Sequence, residues 1–436
     1  MACLKTSVYV GMSGDFLHHG HINLLQKASE FGPVTVGLLT DRAVAERKKI
    51  PFLTYEQRRS VIESLKVVDA VVAQNEWSYE KNILSLKPEF FVHGDDWTTG
   101  TEFSVRSRVI DALDSYGGKL VEVPYTSGVS AGALRRDAMG VSTTPEVRRS
   151  MLRRSLGSKA LSRFIEAHSP LSALVAENAS VNLAGNARSY DGVWSSSLTD
   201  ATVLGKPDTE VVSIASRLDR INEMFEVTTL PLIFDADTGG QPEHLALHIK
   251  SMERLGVSAV IVEDKEGLKK NSLLGTSVPQ VQASVGDFCR KIQAAVEVKS
   301  SADFMFIARI ESLILERGME DALLRAKAYA GAGADGIMIH SRASSPGEVI
   351  AFARHFRDWD DSTPLVCVPT TYNSVSEQLL ESSGFNIVIY ANHLLRASYP
   401  AMMKTAESIL HHSRSAEIDE SLTPISEILS LVPGTR

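Results

Sequence analysis

The sequence predicts an α/β protein built as an open parallel sheet followed by a (β/α)8 barrel. Three observations carry this. Short apolar, β-branched runs alternate with helically spaced segments along most of the chain. The rhythm changes after a stretch containing Gly140, Ser142-Thr143-Thr144-Pro145 and Gly157. Beyond it come about eight further runs at roughly 20–45-residue intervals, the count and spacing of a barrel. A length of 436 residues admits about two or three domains. The hydrophobic share of 44% leaves apolar surface for more than one core and excludes disorder as the main state.

The first domain is placed at residues 1–138. Ser7-Val8-Tyr9-Val10 reads as a strand, Gly11-Met12-Ser13-Gly14-Asp15 breaks it, and Ile22, Leu24, Leu25 and Ala28 recur at helical spacing until Gly32-Pro33. Val34–Leu39, Val67–Val72, Glu89–Val92 and Lys119–Val123 supply the other strands. Residues 139–158 are the predicted linker, in which Arg148, Arg149, Arg153 and Arg154 read as the solvated face of a helix. The barrel is assigned to 159–413 and a tail to 414–436. Its predicted strands are Ser172–Val175, Gly192–Ser195, Leu230–Phe234, Ala259–Val262, Phe304–Ala308, Gly336–Ile339, Pro364–Val368 and Asn386–Tyr390. Polar residues follow each run, and a barrel places its chemistry at those C-terminal strand ends.

Composition narrows the function. Lys and Arg number 45 against 53 Asp and Glu, a net charge of −8 with no basic block, which argues against nucleic-acid binding. No apolar run approaches the roughly 20 residues of a membrane span, and no signal-type h-region opens the chain, so a cytoplasmic protein is expected. Cys3, Cys289 and Cys367 are odd in number and far apart, fitting neither a disulfide framework nor a zinc site.

Two constellations carry chemistry. His18 and His21 lie three apart on the first turn of a helix that follows a Gly-rich break, where the free N–H groups and the dipole favour an anion. Gly20 between them allows close approach to the backbone. In the second region Asp235 and Asp237 follow one buried strand and Glu263-Asp264 the next, a set suited to Mg²⁺. The polar, Gly-containing segment from Lys265 to Leu273 has the composition of a lid.

Both regions resemble known families. Gly11-Met12-Ser13-Gly14-Asp15-Phe16-Leu17-His18-His19-Gly20-His21, Lys48-Lys49, Tyr55-Glu56-Gln57-Arg58-Arg59 and Gly94-Asp95-Asp96-Trp97 are similar to the HxGH cytidylyltransferases. That resemblance implies a Rossmann-like nucleotidyltransferase domain using CTP as co-substrate. It implies that His18, His21 and Lys48 or Lys49 act at the α-phosphate. Gly11, Met12, Ser13, Asp15, Gly20, Asp95, Asp96 and Trp97 would contact nucleotide or acceptor, as would Thr126 and Ser130 in a loose match to an RTxGIST-like segment. Tyr125 stands where that pattern has arginine.

Glu263-Asp264-Lys265, Lys269 and Asn271-Ser272-Leu273 match the EDKxxxKxNSL pattern of phosphoenolpyruvate mutase, within the phosphoenolpyruvate mutase/isocitrate lyase superfamily. The cysteine-bearing KKCGH or KRCGH loop of the lyases is absent. This resemblance implies a Mg²⁺ shell organised by Asp235, Asp237 and Glu263, with Asp237 as direct ligand. It implies a pyruvyl pocket of Trp194, Ser196 and Leu198, Arg309 and His340 facing the phosphoryl group, the catalytic lid residues Lys269 and Asn271, of which Asn271 would hold that group, and a catalytic Asp208 on the loop after the second strand. Ser195 and Ser197 stand where the family has glycines. The pairing resembles the fused mutase and cytidylyltransferase of fosfomycin biosynthesis. Its ligands would be phosphoenolpyruvate or phosphonopyruvate, CTP and a small phosphonate, with barrels associating as dimers or tetramers. The rival expectations are 2-aminoethylphosphonate as acceptor, or a phosphonopyruvate hydrolase carrying a CTP-binding module without turnover.

Overall fold

The computed structural model describes residues 8–97, 103–124, 143–183 and 186–431. Strands β1 (Val8–Met12), β2 (Val34–Leu39), β3 (Ala70–Gln74), β4 (Phe90–Gly94) and β5 (Lys119–Val123) form a sheet in the order β3-β2-β1-β4-β5. All pairs in it are parallel. Parallel sheets are buried on both faces, and period-2 alternation divides β1 accordingly. Val8, Val10 and Met12 pack with Leu25, Val36 and Ile62, while Tyr9 packs with Phe91, Trp97 and Val109. The strand order reverses between β1 and β4, the crevice where open α/β sheets bind ligands. Helix α1 (His19–Ser29) begins there.

Eight parallel strands close the barrel: Ser162–Glu166, Gly192–Ser195, Leu232–Asp235, Ala259–Glu263, Met305–Ile310, Gly336–Ile339, Leu365–Cys367 and Ile387–Tyr390. The last pairs with the first, Ile387 opposite Ser162. Seven fall on predicted runs; the first does not. Ser172–Val175 lies inside a helix, Pro170–Asn178, capped by Ser169 and started by a proline at its first position. The true first strand, with Arg163 and Glu166 among its residues, was hidden by its charges.

The predicted linker also requires correction. Pro145–Ser158 is a helix whose Arg148, Met151, Leu152 and Ser155 are buried. Leu152 enters the barrel interior beside Phe164, Trp194, Ile233 and Met305. The arginines are not a solvated face. Arg148 donates to the Thr228 carbonyl at 3.1 Å and lies over the Phe225 ring, and Arg149 donates to the Glu253 carbonyl at 2.7 Å. Arg153 pairs with Asp335 and Arg154 with Asp41. Long cationic side chains bury their stems and satisfy carbonyls at their tips.

Residues 1–391 form one compact unit and Asn392–Arg436 another. The second contains the helix His393–His412, with Pro400 inside it, and the shorter helix Ile425–Leu431. Among the described residues no helix is long and apolar enough to cross a membrane, and Cys289 and Cys367 are free thiols.

Leu152→Ala should leave a cavity in the barrel floor and cost about 2–5 kcal/mol. Denaturant titration should show an earlier midpoint for the variant; an unchanged midpoint would mean that this helix does not seal the barrel.

Candidate active sites

The barrel site lies where the strands end, and several adjacent ends contribute buried ionisable side chains. Asp235 terminates its strand and accepts from Ser197 Oγ at 3.0 Å and from the Asp237 amide at 3.2 Å. Asp237 sits two residues on at φ +56°, a left-handed conformation that turns its carboxylate back toward the mouth. Glu263 ends the next strand, Arg309 and Glu311 lie at and just beyond the end of the following one, and His340 follows the strand after that.

Cations meet these acids from three directions. Arg309 donates through Nε to Glu311 at 2.6 Å and through Nη2 to Ser272 at 2.7 Å, with His340 Nδ1 at 2.9 Å from that same Nη2. Arg217 threads in from the helix Ile214–Phe225, donating to Asp200 at 2.8 Å and lying 3.6 Å from Asp237. The third source is the lid. Lys265-Glu266 pairs antiparallel with Val281-Gln282, and the segment they enclose carries Lys269 and Asn271. Lys269 contacts Asp237 and Ser197 and reaches Asp208 at 2.6 Å. Asn271 donates to the other Asp208 oxygen at 2.8 Å. The sequence-predicted residues Asp208, Asp235, Asp237, Glu263, Lys269, Asn271, Arg309 and His340 therefore come together, and Asp208 is the seam between lid and barrel. Trp194 is buried in the barrel interior with no partner for its indole Nε1, Ser196 is the N-cap residue of the helix Ser197–Val203, and Leu198 is half-buried beside it.

Burial and charge split the acids. Burial raises Asp237 to about 6, with Lys269 opposing and Asp235 reinforcing the shift. Burial likewise raises Glu263 to about 7 against the pull of Arg309 and Lys265. Asp235 is lowered, since Lys269, Arg309 and Arg217 together outweigh its burial. Among the described residues no three His, Cys, Asp or Glu side chains form a metal cage. The donors nonetheless fit Mg²⁺, which keeps several waters and uses one or two carboxylates. Among the described residues neither Glu263 oxygen has a hydrogen-bond donor, with Lys265 at 3.2 Å and Arg309 at 3.3 Å as ionic neighbours.

Sequence reasoning missed Arg217 and Glu210. Arg217 shares the buried face of its helix with Ile221 and Met224, and a charge on an apolar helix face was the available signal. Glu210, at φ +59°, accepts from the Thr238 amide and hydroxyl and so braces the Asp237 turn. Nothing in its local pattern marked it.

In the first domain the histidines are built into the helix start. His18 is the N-cap of α1, and its Nδ1 accepts from the Gly20 amide at 3.1 Å. His21 Nδ1 accepts from the His18 amide at 3.3 Å, and the rings lie 4.1 Å apart. With both Nδ1 atoms acting as acceptors, the neutral rings carry their protons on Nε2, giving two neighbouring donors at a helix N-terminus, with the ring planes tilted by 43°. Burial lowers His21 to about 4, with His18 adding to the shift, and His18 is lowered for the same first cause.

The other predicted contacts divide. Ser13 is held through its carbonyl by Arg58, and Asp15 accepts from the Leu53 amide at 3.0 Å. Gly11 answers to packing, since a Cβ there would lie 2.2 Å from the Tyr79 ring. Met12 is core. Trp97 is also core: it stacks on His93 at 3.9 Å and donates to Glu122 at 2.8 Å. The structure commits Lys49 elsewhere, to the carboxylate and carbonyl of Glu177, both at 2.9 Å. Lys48 lies over Trp77. Asp95 opens the short helix that holds Trp97, while the Asp96 side chain, Thr126 and Ser130 lie outside the described residues.

Acidic strand ends under a cationic lid, with a histidine-capped helix at the switch point of a second sheet, define an α/β enzyme class suited to anionic, phosphorylated ligands. Residues 152–410 match the phosphoenolpyruvate phosphomutase family, and the chain belongs to it. Residues 10–144 match the cytidylyltransferase-like family. The phosphoenolpyruvate phosphomutase of Tetrahymena pyriformis is 33% identical over 281 residues, 64% of this chain and 89% of that one. The crystal structure of phosphoenolpyruvate phosphomutase from Streptomyces platensis subsp. rosaceus superposes with a TM-score of 0.60 at 36% identity, covering 65% of this chain and 94% of that one. A phosphonopyruvate hydrolase solved in complex with oxalate and Mg²⁺ gives 0.58 at 32%, with the same coverage.

The histidine geometry has a measurable consequence. His21 should titrate near about 4. Because the unfolded chain takes up its proton first, near the ordinary 6.5, this group's contribution is flat above that value and stability falls as pH drops from 6.5 toward 4. Imidazole NMR titration should show an Nε2–H tautomer with flat shifts down to about pH 5; a midpoint near 6.5 would contradict the capped arrangement.

Proposed function

We propose that the barrel interconverts phosphoenolpyruvate and phosphonopyruvate and that the N-terminal domain transfers CMP from CTP to a small phosphonate, 2-hydroxyethylphosphonate as in fosfomycin biosynthesis. The observation that carries the mutase reading is the lid seated on Asp208 through both Lys269 and Asn271. One Nδ2 hydrogen of Asn271 goes to Asp208, leaving the second for a phosphoryl oxygen.

The reaction breaks the enol O–P bond and forms a C–P bond at the methylene carbon, with no net gain or loss of protons. A phosphoryl group in transit resembles metaphosphate and needs fixed donors around its oxygens. Arg309, the His340 ring and Asn271 supply them. His340 is lowered by burial and then by Arg309, and its Nδ1 lies 2.9 Å from Arg309 Nη2 and 3.1 Å from Glu311; with the Arg309 bond made, Nε2–H is the ring's free donor. The lid excludes water, which would otherwise intercept the phosphoryl group. Mg²⁺ held by Asp237, with Asp235 and Glu263 around it, would offset the enolate and carboxylate charge. In the N-terminal domain the two Nε2–H donors and the α1 N-terminus stabilise negative charge gathering on the α-phosphate as pyrophosphate leaves.

The likeness to a phosphonopyruvate hydrolase supports a second reading, in which water takes the phosphoryl group. Phosphorus NMR of the enzyme with phosphonopyruvate and Mg²⁺ separates them. Phosphoenolpyruvate should appear, and Asn271→Ala should slow its formation by about 10²–10³-fold; inorganic phosphate without phosphoenolpyruvate would remove the mutase reading. Incubating CTP with 2-hydroxyethylphosphonate, 2-aminoethylphosphonate and related phosphonates should release pyrophosphate with one of them.

The sites should also separate genetically. His21→Ala should abolish cytidylyl transfer and spare the mutase, and Asp237→Ala the reverse. Loss of both activities in either soluble variant would contradict two independent sites.

A further inference from the structure

Asp41 is shared by two arginines that approach from opposite sides of the domain junction. Its Oδ1 accepts from Arg58 Nη2 at 2.6 Å and its Oδ2 from Arg154 Nη2 at 2.9 Å. Arg58 is fully buried in the nucleotidyltransferase-like domain. Arg154 belongs to the helix Pro145–Ser158, whose Leu152 is fixed in the barrel interior. The Arg154 guanidinium also takes three successive carbonyls, Pro51 at 2.8 Å, Phe52 at 2.9 Å and Leu53 at 3.2 Å.

Leu53 passes the constraint on. Its amide donates to Asp15 at 3.0 Å, and its carbonyl accepts from Arg58 Nε at 3.3 Å. Arg58 then holds the carbonyls of Ser13 and Leu39 through Nη1. Ser13 and Asp15 flank the turn that delivers His18 and His21. The barrel's leading helix thus grips the segment that fixes the nucleotide loop.

We propose that Arg154 is a positioning residue for the nucleotide site, acting through Asp41, Leu53 and Arg58; this rests on the cytidylyltransferase reading of that domain. Nη2 is shared among Asp41 and the Pro51 and Leu53 carbonyls while Nη1 takes Phe52, so the two ends of one rigid fork reach both sets of acceptors, whereas a lysine could keep Asp41 and only part of the carbonyl set. A shift of about 1 Å at the loop can cost up to about 10²-fold in a reaction that depends on alignment.

The test uses the full chain carrying Arg154→Ala or Arg154→Lys, with three readouts: calorimetric affinity for CTP with Mg²⁺, KM and kcat for CTP with 2-hydroxyethylphosphonate, and mutase rate. Arg154→Ala should weaken CTP binding and raise its KM about tenfold with the mutase rate unchanged, and Arg154→Lys should fall between it and wild type. A merely destabilised protein would instead lose kcat in both reactions with KM unchanged, and that result would overturn the proposal. So would CTP affinity within twofold of wild type in Arg154→Ala. If Arg154→Ala does not fold, Arg154→Lys decides: weaker CTP binding with intact mutase supports the proposal, and wild-type affinity overturns it. Wild-type protein that binds CTP without transferring CMP to any phosphonate would remove the transfer reading and leave the affinity ratio to judge Arg154. Wild-type protein that does not bind CTP would overturn both.

Discussion

Pairing of buried charge governs the mouth of the barrel. Asp235, Asp237, Glu263 and Glu311 are all buried at strand ends. An unpaired carboxylate in such a place costs several kcal/mol. The strands and the helices behind them provide only part of the counter-charge, through Arg309 and Arg217. Lys265 and Lys269 supply the rest, and both belong to the lid hairpin. The lid is therefore held by the acids that line the barrel mouth. The balance is uneven by design of the environment: Glu311, beside Arg309, stays well below the usual carboxylate range although burial opposes it, while Glu263, one strand away, is raised.

The nucleotide site solves the anion problem in the opposite way. Its histidines are kept neutral by burial and by each other, and their Nδ1 atoms are spent on capping α1. What faces a ligand is a pair of N–H donors backed by the helix dipole. On the nucleotidyltransferase reading, such a site would take a polyphosphate without storing unpaired positive charge, unlike the barrel mouth with its lid of counter-ions.

How much of this was legible in the sequence depended on whether an element's signal was local. Strands that read as β-branched runs, such as Ala259–Glu263 and Gly336–Ile339, were found because burial on both faces leaves little room for polar residues. The first barrel strand was missed because Arg163 and Glu166 find partners, Glu377 and His168, that lie elsewhere in the fold or beyond the strand. The lid, the acids and the histidine cap were legible because chemistry concentrates unusual residues at short spacing. The arginines of Pro145–Ser158 were misread because their partners are carbonyls and carboxylates as far away as Asp335 and Asp41. The motif points to Lys48 or Lys49 at the α-phosphate; the contact of Lys49 with Glu177, more than a hundred residues on, is one that no local pattern announces.

The junction also limits what fusion of the two sites can achieve. Lys49 meets Glu177 at the end of the helix that follows the first barrel strand, and Glu177 in turn accepts from Thr228 and Thr229, which precede the strand Leu232–Asp235. Arg154 comes from the helix before the first strand. These contacts lie at the N-terminal ends of the barrel strands, whereas Asp235, Glu263 and Arg309 lie at the C-terminal ends. The first domain thus packs on the floor of the barrel, with the filled interior between it and the barrel mouth. A product leaving that mouth must cross solvent to reach the histidines. What the barrel can give the first domain is a rigid floor, delivered through Arg154 and Glu177, and not a channel.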